Sequence, residues 1–81
     1  MNIKMLYDSA RDEFSLPDYK NNIYREFVAK CYFNDFKLMD YFGQPGVKCE
    51  FQEIEDIRDI FDYPISWDHS GSNIIVYPVI H

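Results

Sequence analysis

The hydrophobic positions change period several times along the chain, and each change predicts an element. In residues 2–7 (NIKMLY), Ile3, Met5 and Tyr7 alternate with polar neighbours, which predicts a first strand. The polar stretch 8–14 reads as a loop or a short turn of helix. Residues 15–33 then take on a helical period, with Tyr19, Ile23, Phe27 and Cys31 on one stripe and Tyr24, Val28 and Tyr32 widening it. Ser15 and Asp18 have the spacing of a capping box, and Pro17 is tolerated in a first turn. Continuing the period would bring Asn34 and Asp35 onto the apolar stripe, so the helix should end there.

Residues 36–43 fit a second short helix ending at Gly43, or alternatively a strand. Gln44-Pro45-Gly46 reads as a turn, and Val47, Cys49 and Phe51 alternate with Lys48 and Glu50 as a second strand. Over 53–62, Ile54, Ile57, Ile60 and Phe61 share one side of a helix, while Glu55, Asp59 and Asp62 share the other. An extended piece starts at Ile65, residues 68–73 (DHSGSN) have turn chemistry, and 74–80 form a last strand. Pro78 cannot donate to a ladder, which assigns that strand to an edge or a bulge. The expectation is a single α+β domain over residues 1–81: a small mixed or antiparallel sheet with two or three helices packed on one face.

Composition agrees with a folded chain. Hydrophobic residues make up 47%, and seven Tyr, seven Phe and one Trp are more aromatic surface than a disordered chain carries. Charge adds something the pattern alone does not show. The net charge is −6, and residues 50–68 hold seven acids against the single base Arg58, whereas acids and bases balance elsewhere. That sign opposes direct binding to nucleic acid or to an anionic membrane and favours a basic protein partner. The first 20 residues hold seven charges and no signal-like apolar run, and no stretch is apolar enough to span a bilayer, so a cytoplasmic chain is expected. Cys31 and Cys49 read as small buried hydrophobes, with a single bridge between them left open.

Candidate chemistry narrows the classes. Asp68, His69, Ser70 and Ser72 are neighbours in sequence, but a catalytic triad draws its members from separate elements, and no G-x-S-x-G elbow is present. His69 and His81 lack close cysteine partners, no D-x-D-x-D-G loop occurs, and three glycines make no phosphate cradle. No catalytic residue, metal or cofactor is therefore expected. What remains is the acidic stretch. Glu53, Glu55, Asp56, Asp59, Asp62 and Asp68 would supply charge, and Tyr63 and Trp67 would anchor, in a small non-enzymatic inhibitor or interaction protein that occludes a basic, nucleic-acid-binding site on a partner. The same physical description fits small phage-encoded counter-defence proteins and toxin-neutralising immunity proteins. The alternative is a structural or assembly subunit that dimerises or adds a strand through residues 73–80.

Overall fold

The computed structural model describes residues 1–80, so His81 lies outside the described residues. The chain begins with a helix, α1 (Ile3–Phe14), where alternation predicts a strand. Asn2 caps it, its side chain accepting from the Met5 N–H at 3.1 Å. The reason for the correction is the period. Ile3, Leu6, Tyr7, Ala10 and Phe14 pack into or against the core, a helical spacing, whereas Met5 is 66% exposed. Residues 15–21 are irregular, and α2 (Asn22–Phe33) starts later than the Ser15/Asp18 signal implies. Its cap is Asn21, which accepts from the Ile23 N–H at 2.8 Å, and Ser15 instead closes α1 in a left-handed conformation. α2 ends at Asn34 as the broken apolar stripe requires, with Asp35 at positive φ.

Residues 36–43 resolve in favour of a strand. β1 (Lys37–Tyr41) and β2 (Gln44–Cys49) form a hairpin whose turn is Phe42-Gly43, both at positive φ, so Gln44-Pro45-Gly46 is strand and not turn. Pro45 is tolerated because β2 has β1 alone for a neighbour at that level, its pairing with β4 covering Val47–Cys49. After a 3₁₀ turn (Phe51–Glu53) comes α3 (Ile54–Ile60). β3 (Ile65–Ser70) and β4 (Asn73–Pro78) complete the fold, joined by a tight turn at Gly71-Ser72, so Asp68, His69 and Ser70 belong to a strand and not to a loop.

The sheet is wholly antiparallel with order β1-β2-β4-β3. This places β4 inside, between β2 and β3, and not at an edge. Pro78 is accommodated because it is the last residue of the strand and faces Ile65 of β3 alone. Leu38, Val47, Cys49, Ile74 and Val76 project from one face into a single core cluster with all three helices, among them Phe27, Val28 and Ala29 of α2 and Ile54 and Ile57 of α3. The opposite face carries no helix. Among the described residues the architecture is the expected α+β domain, with three helices on one face of a four-stranded sheet. No described helix is long and apolar enough to cross a membrane.

Candidate functional site

Seven residues are too few for a helix to persist alone, so α3 depends on its apolar side. Ile57 is fully buried and Ile54 nearly so, each contributing about 1.5–3 kcal/mol through burial. Phe61 follows in an extended conformation, with its ring edge-on to Phe27 at 5.0 Å. Fixing that side to the core turns Glu55, Asp56 and Asp59 outward, and all three are exposed. The helix stops at Ile60, two residues short of the expected range, so Asp62 is not carried on the helical ridge. It stands beside it, 88% exposed, with the Lys30 ammonium 4.0 Å away.

Among the described residues no Lys or Arg comes within 4.0 Å of Glu55, Asp56 or Asp59. Arg58, the base on the same helix, lies 6.0 Å from the Trp67 ring centre instead. Asp56 and Asp59 line a shallow depression of about 370 Å³, together with Asn34, Phe36 and Ile60. Two carboxylates and two apolar side chains in one lining have the chemistry to match the charged head and the aliphatic stem of a Lys or Arg side chain.

The remaining residues expected at this site do not join the ridge. Glu53 is half-buried and turned back on its own chain, accepting from the Glu50 N–H at 3.0 Å. Asp68 sits on the open face of the sheet, away from the helices, and accepts from the Tyr41 hydroxyl at 2.7 Å. Strand alternation put it there, and a helical reading of the acidic run has no means of foreseeing it. Trp67 is half-buried against the core. Tyr63 is 42% exposed, leans on the buried Phe61 at 5.4 Å and does not line the depression.

A second polar centre was not foreseen. The buried Tyr7 hydroxyl accepts from the Tyr19 N–H at 2.7 Å and donates to Asp18 at 2.8 Å. Arg25 donates through Nε to the Tyr19 carbonyl at 2.6 Å, and both Arg11 and Arg25 lie over the Tyr7 ring, at 5.7 and 5.4 Å. Tyr7, Arg11, Asp18 and Arg25 border a cleft of about 580 Å³ between α1 and α2. The Tyr7 bond, followed by the charges of Arg11 and Arg25, holds the Asp18 carboxyl below its ordinary pKa. Burial, then the bond to Asp18, raises Tyr7; burial and the bond to Asp40 raise Tyr19. No sequence signal links Tyr7 to Tyr19, because the contact spans an irregular loop.

The groups considered for catalysis do not converge. His69 and Ser70 are consecutive strand residues, so their side chains leave opposite faces of the sheet. Cys31 and Cys49 are free and buried; burial raises both thiols, Cys49 to about 11. Compared with protein-family models, characterised proteins and solved structures, the chain matches none.

Proposed function

We propose that this protein is a small, non-enzymatic interaction protein that uses the outer side of α3 to occupy a basic site on a partner protein, most naturally one that otherwise receives nucleic acid. The observation that carries this reading is the set of exposed carboxylates at Glu55, Asp56 and Asp59, unmatched by any Lys or Arg within 4.0 Å among the described residues, two of them lining a depression with Asn34, Phe36 and Ile60. Asp62 and Tyr63 extend the contact, the first by charge and the second as an aromatic anchor. Catalysis plays no part. Occupying the partner's Lys and Arg side chains denies them to phosphates, so inhibition is competitive and weakens with salt. Inhibitors of phage counter-defence type and immunity proteins work within the same physics.

The test begins with affinity capture from the source lysate at low and then high salt, followed by purification of the captured partner and titration. Reversing Glu55, Asp56 and Asp59 to Lys together should weaken its binding by about 2–5 kcal/mol while circular dichroism stays unchanged. Added DNA or RNA should displace the wild-type protein. Unchanged affinity after the triple reversal would rule the ridge out as the contact.

A further inference from the structure

With β4 enclosed, self-association through a free edge of residues 73–80 loses its geometry, whereas the sheet face that no helix covers stays open. Tyr41 lies across that face. Its ring stacks on Tyr77 at 5.6 Å, with an interplanar angle of 26°, and its hydroxyl reaches Asp68. Gly46 permits this: a Cβ there would stand 2.8 Å from Ile75 Cγ2 and 3.1 Å from Tyr41 Cβ. Ile75 is thereby buried to 4% exposure on a side without helices.

Phe42 extends the aromatic group, edge-on to Tyr41 at 4.8 Å. It is 90% exposed and has a φ of 52° in a turn whose geometry favours Asn, Asp or Gly. A bulky residue in the left-handed region carries strain, and here it gains no burial within its own chain in return. At the other end of the hairpin, Lys37 and Lys48 are direct cross-strand partners, both exposed, with no carboxylate within 4.0 Å among the described residues. Like charges placed opposite each other destabilise a sheet. The hairpin thus presents the exposed Phe42 beside the half-buried Tyr41 at one end, unmatched cations at the other, and Met39 halfway between.

We propose that this open face is a homodimer interface, formed by a second copy packed face to face about a two-fold axis that crosses the strands at the Met39–Gly46 row. Tyr41 and Lys37 stand two residues to either side of Met39, so that axis sets the aromatic end of each copy against the lysine end of the other. Lys ammonium groups then rest on Tyr41 and Phe42, each hairpin end receiving what it lacks within its own chain. The interface is separate from α3, which lies on the other side of the sheet.

Sedimentation velocity from low micromolar to millimolar concentration tests it directly. The wild-type protein should pass from monomer to dimer over this range. Phe42→Asn should raise Tm, because Asn tolerates the left-handed turn, and should weaken the dimer by about tenfold, the equivalent of two lost exposed cation–aromatic contacts, one in each half of the symmetric interface. Lys37→Glu combined with Lys48→Glu should weaken it at least as much, with the fold intact by circular dichroism. A monomer at every concentration overturns the proposal, and so does a dimer indifferent to both variants.

Discussion

The corner where α1 meets α2 and the outer side of α3 are both charged helix surfaces, yet they use charge in different ways. At the corner three acids have bases: Asp8 with Lys4 at 2.8 Å, Asp18 with Arg25 at 3.5 Å and Arg11 at 4.0 Å, Glu26 with Lys30 at 3.8 Å. The two Asp18 pairs tie the irregular 15–21 segment to both helices, the other two lie within single helices, and a buried tyrosine hydroxyl runs through the middle. On α3 the carboxylates have no such partners, and the local arginine turns to Trp67. The difference is one of pairing: charge at the corner is matched within the chain, whereas the carboxylates on α3 meet at most their own helix N-terminus, which Glu55 and Asp56 of the first turn face.

The sharpest way to test that division is to remove the Tyr7 hydroxyl. Exposed ion pairs contribute little, at most about 1 kcal/mol each, so the corner's strength should reside in the buried hydrogen bonds. Tyr7→Phe leaves the buried Tyr19 N–H without its acceptor and should cost about 1–3 kcal/mol in a urea titration. A loss below about 0.5 kcal/mol would mean that the corner is held by packing alone.

Titration separates the same groups by sign. Asp18 is held below its ordinary pKa, so its contribution is present above the unfolded carboxylate range and fades as pH falls through the folded value. Tyr7 and Tyr19 are raised; their contribution is intact below about pH 10 and is lost as pH climbs through their folded values. Thermal unfolding across pH should therefore show an acid limb flattened by Asp18→Asn and an alkaline limb flattened by Tyr19→Phe. If both limbs persist in both variants, the corner is not what titrates.

The two regions also differ in how legible they were. The ridge follows from periodicity: isoleucines at 54, 57 and 60 fix one side of a helix, and their polar neighbours must face out. The corner depends on a hydroxyl meeting a backbone amide 12 positions away, and no local pattern encodes that. At the N-terminus two periods competed. Ile3, Met5 and Tyr7 alternate, but Leu6, Ala10 and Phe14 complete a helical stripe, and the longer run decided. Around Gly43 and Gly46 the turn was misplaced because Gln44-Pro45-Gly46 has turn composition. The actual turn uses Phe42, a residue that local propensity would not choose. β4 was recognised as a strand, whereas its place inside the sheet depended on pairings that only the tertiary structure supplies.

The smallest expected effect is the most diagnostic. If the carboxylates of α3 serve only a partner, replacing Glu55, Asp56 or Asp59 singly by Gln or Asn should change unfolding free energy by no more than about 0.5 kcal/mol, as for ordinary exposed positions. The sign should lean towards stabilisation at Asp59, a like charge one turn from Glu55, and towards a small loss at Glu55 and Asp56, whose carboxylates lie in the first turn and favour the helix N-terminus. The neutralising exchange keeps side-chain shape, so any larger loss would have to come from charge. A destabilisation of about 1 kcal/mol or more at any of the three would show that the fold relies on that carboxylate. The contrast with the Tyr7 corner would then fail, and with it the reason for assigning α3 to a partner.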